Sequence, residues 1–281
     1  MKALITTVPF GDKNSLPLEL LENAGIEYVI NPLNMKLTED QLAEMVSDFD
    51  VIIAGTEPIT KKVMNNASNL KFISRVGIGL DSVDLLAAKE RNIKVSYTPD
   101  APAPAVAELT LGIMLTLLRS VHVSNAQMHK GEWQRIFGRR LAEVTVGVIG
   151  VGRIGGRVLR RTKPFGTPKF LVNDIMPNYK MNPELKLEWV TKEQIYKEAD
   201  VICLHLPLTK LTKNMVKKEQ LLSMKEDAII INTSRGGIIN EQDLYDVMSD
   251  GHLSGAAIDV FEQEPYKGNL AEVERCILTA H

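Results

Sequence analysis

The run from 144 to 155, VTVGVIGVGRIG, constrains this chain more than any other stretch. An apolar, β-branched strand runs into Gly150-Val151-Gly152-Arg153-Ile154-Gly155. An amphipathic helix carrying Ile154, Val158 and Leu159 on one side follows. Each glycine answers a separate demand. The first permits a tight turn, the second lets backbone approach a pyrophosphate, and the third lets the helix pack close to the strand. The free amides at the helix start then face the anion. A bare GxGxxG is weak evidence, but here it lies between a strand and a helix, as dinucleotide binding requires. The next strand, KFLVND, ends in Asp174, about 20 residues on. A carboxylate there accepts hydrogen bonds from both ribose hydroxyls and repels a 2′-phosphate, so the sequence favours NAD over NADP.

The surroundings fit that turn. Strand-like runs at 2–6, 27–30, 51–54, 71–75 and 93–96 alternate with helical spacing at 16–24, 39–47, 61–67 and 82–91. Such alternation predicts a parallel sheet covered on both faces. Pro99, Pro102 and Pro104 then mark a boundary, because proline continues neither a ladder nor a helix interior. A helical stretch over 106–130 follows, closed by Gly131. Its first half is apolar nearly all round, which predicts burial against its own protein or a partner subunit. A second alternating block has strands at 144–149, 170–173, 201–206, 228–232, 256–259 and 276–278. The 281 residues therefore read as two α/β domains. Residues 1–98 form the smaller of the two. Residues 99–281 form a Rossmann doubly wound domain that binds NAD and includes the long helix.

Composition removes several classes. The formal net charge of -2 leaves no basic excess for a phosphate backbone, so nucleic acid is not an expected partner. No apolar run reaches the length of a membrane span, and the first residues lack the core of a secretory signal. Cys203 and Cys276 sit in apolar strands and read as buried thiols of a reducing compartment; the expected location is the cytoplasm. His122, His129, His205 and His252 show no metal spacing, and no metal is expected. Arg157, Arg160, Arg161 and Lys163 read as a solvated helix face.

Further motifs follow in order: SRVGIGLDSVD at 74–84, AELTLGIMLTLLR at 107–119, HLPLT at 205–209, INTSRGGIINE at 231–241, GAAIDVFEQEP at 255–265 and LTAH at 278–281. Together with the glycine turn they resemble the D-isomer-specific 2-hydroxyacid dehydrogenases, with phosphoglycerate dehydrogenases among the nearest. The resemblance spans nearly the whole chain and implies that residues 1–98 are a flavodoxin-like domain that binds substrate. It implies an NAD-dependent oxidoreductase that interconverts a D-2-hydroxy acid and its 2-oxo acid. It also implies a homodimer paired through the long helix and the following GEWQRIFGRRL excursion.

The resemblance assigns roles motif by motif. Arg235 of NTSRGG binds the substrate carboxylate and polarises the reacting carbonyl. Glu264 of FEQEP holds the ring of His281 of LTAH, which moves the proton. Asp259 of AIDVF lies near the nicotinamide end of the cofactor. Gly150, Gly152, Arg153, Ile154, Gly155, Asp174, Leu206, Pro207, Thr212, Thr233 and Ser234 line the rest of the cofactor, with His205 beside the groove. Val76, Gly77, Ile78 and Gly79 present backbone amides to the substrate carboxylate. Hydride chemistry on a hydroxy acid requires exactly one mobile proton, and histidine titrates near neutrality.

Two positions depart from the family pattern. Ala280 stands where the family commonly has proline. The family also continues past the histidine matched by His281 into a segment that returns to the first domain, and looser domain coupling is expected without it. The loop GTEPIT carries Glu57 and no arginine. A carboxylate at the pocket mouth opposes a phosphorylated substrate, which argues against phosphoglycerate. Two other functions suit the same fold: an NAD(H)-sensing binding protein without turnover, and a formate- or phosphite-oxidising dehydrogenase.

Overall fold

The computed structural model describes residues 1–166 and 168–281. They separate into two compact units, Met1–Pro102 and Ala103–His281. The division falls after Pro102, within the proline-rich stretch and four residues beyond the expected 98.

In the first unit, β1 (Lys2–Ile5), β2 (Glu27–Ile30), β3 (Val51–Ala54), β4 (Phe72–Arg75) and β5 (Lys94–Tyr97) form one parallel sheet in the order β2-β1-β3-β4-β5. That is the flavodoxin-like order, with its switch point between β1 and β3. Helices α1 (Leu16–Asn23), α2 (Glu39–Met45), α3 (Lys61–Asn66) and α4 (Leu85–Glu90) connect the strands. Local chemistry starts the last three. Thr38, Thr60 and Asp84 each accept a backbone N–H of the first helical turn, which satisfies donors the helix cannot.

In the second unit, α5 (Ala103–Leu118) and α6 (Val121–His129) precede a seven-stranded parallel sheet. Its strands are β6 (Thr145–Ile149), β7 (Lys169–Asn173), β8 (Leu187–Trp189), β9 (Val201–Leu204), β10 (Ile229–Asn232), β11 (Gly255–Ile258) and β12 (Cys276–Leu278). Helices α7 (Arg153–Thr162), α8 (Asn182–Leu185), α9 (Lys192–Glu198), α10 (Lys218–Leu222) and α11 (Glu241–Ser249) link them. The order β12-β11-β10-β9-β6-β7-β8 is the doubly wound order with one strand added beyond β11. Strands β9, β10 and β11 are buried along their whole length, which explains their unbroken apolar sequences.

Two cores sandwich this sheet. Val146, Val148, Cys203 and Ile231 pack with Ile113, Met114 and Leu117 of α5 and with Val158 and Leu159 of α7. Ile149, Ile202, Leu204 and Ile230 pack with Ile195 of α9 and with Leu244 and Val247 of α11. Each such side chain, fully buried, contributes about 1.5–3 kcal/mol.

Three features differ from the sequence reading. The expected helix over 106–130 is two helices bent by 64°, because Ser120 takes a left-handed conformation with φ 49°. Strand β8 had no counterpart in the reading. It has three residues at the sheet edge, too few to form a recognisable run. Among the described residues no single helix is long and apolar enough to cross a membrane; the bent pair passes that test only when its two helices are taken together, and α5 turns Ile113, Met114, Leu117 and Leu118 into the core.

Candidate active site

The carboxyl end of β6 becomes the glycine turn. Gly150 has φ 96°, a conformation that excludes most side chains. A Cβ at Gly150 would fall on the His205 carbonyl, and a Cβ at Gly155 would fall on the carbonyl oxygen of Gly150. Turn, helix and neighbouring strand thus touch backbone to backbone. Gly152 caps α7 without a side-chain partner and a Cβ there would meet open space. The approach to the amides at the start of α7 is therefore uncovered, as a pyrophosphate needs.

Asp174 follows β7 and stands beside that turn. Its Oδ2 accepts the Val151 N–H at 2.7 Å and its Oδ1 accepts the Met176 N–H at 2.8 Å. Two backbone amides thereby orient the carboxylate, and each oxygen keeps a lone pair for a ribose hydroxyl. Arg153 and Ile154 open α7, the first exposed and the second half-buried. This cradle fits a dinucleotide.

The loop after β9 carries Leu206, Pro207 and Thr212. Thr212 Oγ1 donates to the Pro207 carbonyl at 2.6 Å and accepts the Thr209 N–H at 2.7 Å, so it shapes the loop. His205 begins the loop, and neither ring nitrogen has a partner among the described residues although both are buried. Burial pushes its pKa down to about 4.

The loop after β10 holds Thr233, Ser234 and Arg235. Thr233 and Ser234, expected along the cofactor, direct their hydroxyls to partners within the protein. The Thr233 hydroxyl lies 2.9 Å from that of Thr110 on α5, and the Ser234 hydroxyl donates to Asn232 Oδ1 at 2.8 Å. Asn232 also accepts the Ser234 N–H at 3.1 Å and donates its amide to the Arg235 carbonyl at 2.9 Å. One asparagine therefore sets the turn that presents Arg235. Sequence reasoning missed Asn232; an asparagine at a strand end is a turn former, and that was the available signal. Arg235 is half-buried and its Nη1 donates to the Ser234 carbonyl at 2.7 Å.

After β11, Asp259 is buried and accepts the Thr279 hydroxyl at 2.5 Å. Its carbonyl accepts the His281 N–H at 3.1 Å, which extends the β11–β12 pairing to the histidine. Glu264 closes the arrangement. His281 Nδ1 lies 3.2 Å from both Glu264 oxygens, and the Phe261 N–H donates to Glu264 Oε1 at 3.2 Å. The carboxylate fixes one ring nitrogen and leaves Nε2 for proton exchange.

In the first unit, the loop 76–79 follows β4. Two of its four expected amides are already engaged: the Val76 N–H donates to the Ala54 carbonyl at 2.9 Å and the Gly77 N–H to Thr98 Oγ1 at 2.7 Å. Glu57 does not stand at a pocket mouth. It is 1% exposed and accepts the Thr6 hydroxyl and, at 2.8 Å, the Gly55 N–H. A buried carboxyl needs such donors, and the loop folds to provide them. Its expected opposition to phosphate at the surface falls away.

The chain is similar to known proteins. Residues 111–281 match the family model of the D-isomer specific 2-hydroxyacid dehydrogenase NAD binding domain. The chain is 40% identical over 270 residues to a D-3-phosphoglycerate dehydrogenase of Methanocaldococcus jannaschii, covering 94% of this chain and 50% of that protein. It thus spans half the length of that relative. It is 36% identical over 273 residues to a hydroxypyruvate reductase of Thermotoga maritima, covering 93% of this chain and 88% of the other. Among solved structures it is similar to a D-lactate dehydrogenase of Aquifex aeolicus complexed with NAD and lactic acid. There the TM-score is 0.85 at 26% identity, over 99% of this chain and 87% of the other.

Proposed function

The chain belongs to the D-isomer-specific 2-hydroxyacid dehydrogenase family and carries its NAD binding domain; from that premise we propose that it interconverts a D-2-hydroxy acid and its 2-oxo acid. The observation that carries this reading is the Glu264–His281 pair at 3.2 Å at the same carboxyl end of the sheet as the turn of Arg235. Arg235 holds the substrate carboxylate, since a planar guanidinium matches it with two parallel hydrogen bonds. Its positive charge also polarises the adjacent carbonyl. In the oxidising direction His281 Nε2 takes the hydroxyl proton; in the reducing direction it returns it. Glu264 orients the ring and stabilises the imidazolium. Positioned groups of this kind contribute on the order of 100- to 10,000-fold in rate. Bound NAD supplies the two-electron chemistry. Gly150, Gly152, Gly155 and Asp174 hold it, with Asp259 near its nicotinamide end. Ile78 and Gly79 offer amides to the substrate carboxylate.

We further infer a homodimer. Trp133 is 82% and Phe137 fully exposed, beside a cavity of about 510 Å³ lined by Arg119, Ser124 and Met128 among others. Rings left in water next to a groove favour burial against a second copy. The unpaired buried thiols of Cys203 and Cys276 suit a cytoplasmic setting.

A panel of 2-oxo acids with NADH, followed by loss of nicotinamide absorbance and by chiral analysis of the product, tests the reading. Reduction to the D-hydroxy acid is expected. Saturable NADH binding with no turnover on any acid would overturn it in favour of a sensor.

A further inference from the structure

Glu264 sits on a short loop without regular structure, so other groups must hold it in place. Three contacts converge on residues 261 and 262. The Glu262 N–H donates to Glu241 Oε1 at 2.7 Å, and Glu241 is the first residue of α11. The Glu262 carboxylate lies 3.6 Å from Lys213 Nζ. Gly236, next to Arg235, abuts the loop so closely that a Cβ would overlap the Phe261 carbonyl. The loop is therefore clamped between the arginine turn and the start of α11. The side of the clamp on α11 is one half-buried carboxylate, whose helix is itself fixed by the Asn240 cap.

We propose that Glu241 is a positioning residue for the Glu264–His281 pair, acting through the Glu262 amide to hold the loop that carries Glu264. The idea rests on the dehydrogenase reading but uses residues that reading leaves idle. A purely structural role would require only that the helix start well, and Asn240 already provides for that. The Glu241 carboxyl is instead turned to the loop. Burial is the main cause of its raised pKa, and the carboxylates of Glu262 and Glu264 raise it further against the lowering effect of the Glu262 N–H. The charged or titratable groups facing it are Glu262, Glu264, the Tyr266 hydroxyl, and, through Glu262 and Glu264, Lys213 and His281.

Two variants of the full chain separate the contributions. Glu241→Ala removes the acceptor, and kcat is expected to fall about tenfold or more, the worth of one hydrogen bond to a charged group. The KM for NADH should not move, because the turn at 150–155 is untouched. Glu241→Gln keeps an acceptor oxygen for the Glu262 amide and should restore most of kcat. Wild-type kcat in a folded Glu241→Ala, or Glu241→Gln as slow as Glu241→Ala, would overturn the proposal. NMR of the His281 ring needs no turnover. Its proton resonances should move or broaden in Glu241→Ala and stay near their wild-type positions in Glu241→Gln, which is nearly isosteric and least prone to misfold. Wild-type resonances in Glu241→Ala, or equal displacement in both variants, overturn the proposal even if acids are reduced. Resonances displaced in Glu241→Ala and restored in Glu241→Gln, in a protein that reduces no acid, would sustain the positioning and sink the dehydrogenase reading alone.

Discussion

A methyl group at position 155 would occupy the space of the Gly150 carbonyl oxygen. Gly155→Ala must therefore push α7 away from β6 or distort the turn. NADH affinity, measured by fluorescence titration, is expected to drop at least about tenfold, as the helix-terminal amides lose their aim. Unchanged affinity would mean that the cofactor is held elsewhere. His205 gives a second test at this scale. Its folded pKa of about 4 lies below the unfolded value of about 6.5. Between those values the unfolded chain binds a proton that the folded chain does not, so acid favours unfolding. The stability is complete above about pH 6.5 and declines by about 3 kcal/mol as pH falls toward 4. Urea midpoints of His205→Gln across that range should show a flatter slope; an identical slope would contradict the assignment. Single residues also mark where sequence stopped being informative. The glycines at 150 and 155 were legible because a Cβ at either would overlap backbone, and Gly152 was legible from its place in the same motif. Glu57 was legible as a carboxylate but not as a buried one, since its partners Thr6 and Gly55 come together only in the fold. The partners of the Thr233 and Ser234 hydroxyls were hidden for the same reason.

Among elements, the strands of both sheets announced themselves because buried parallel strands have no polar face to interrupt them. The break between α5 and α6 did not. Ser120 carries no breaker signature, and the helical spacing read over 106–130 runs straight through it. The bend comes with Ser120 at φ 49°, at a cost of roughly 1–2 kcal/mol for a residue with a Cβ. Ser120→Gly should keep the bend and raise stability by up to about 1 kcal/mol. Ser120→Val should lower it by more, since a β-branched residue is least tolerant of that conformation. Denaturant unfolding of the two variants decides; destabilisation by both would show that the Ser120 side chain matters more than its backbone. The third strand of the second sheet's outer half, β8, stayed invisible because three residues at an edge carry little periodicity.

At the scale of the molecule, the doubly wound order of the second unit explains why the site residues cluster. Parallel strands place the turns after β6, β9, β10 and β11 at the carboxyl end of the sheet, and those turns carry the glycines, Leu206, Arg235 and Glu264. The exposed aromatic pair Trp133 and Phe137 predicts association. Trp133→Glu with Phe137→Glu should convert a dimer to a monomer in sedimentation velocity, whereas an unchanged sedimentation coefficient would place the interface elsewhere. The claim on which the rest depends is that Arg235 anchors the acid while the glycine turn independently anchors the nucleotide. Steady-state reduction of a 2-oxo acid by the wild type and by Arg235→Ala, with NADH dissociation constants measured for both, tests it most directly. The predicted result is a fall in kcat/KM of roughly 100-fold or more, the scale of losing two charge-assisted hydrogen bonds, with NADH binding unchanged. Full activity in Arg235→Ala, or a parallel loss of NADH binding, would contradict it.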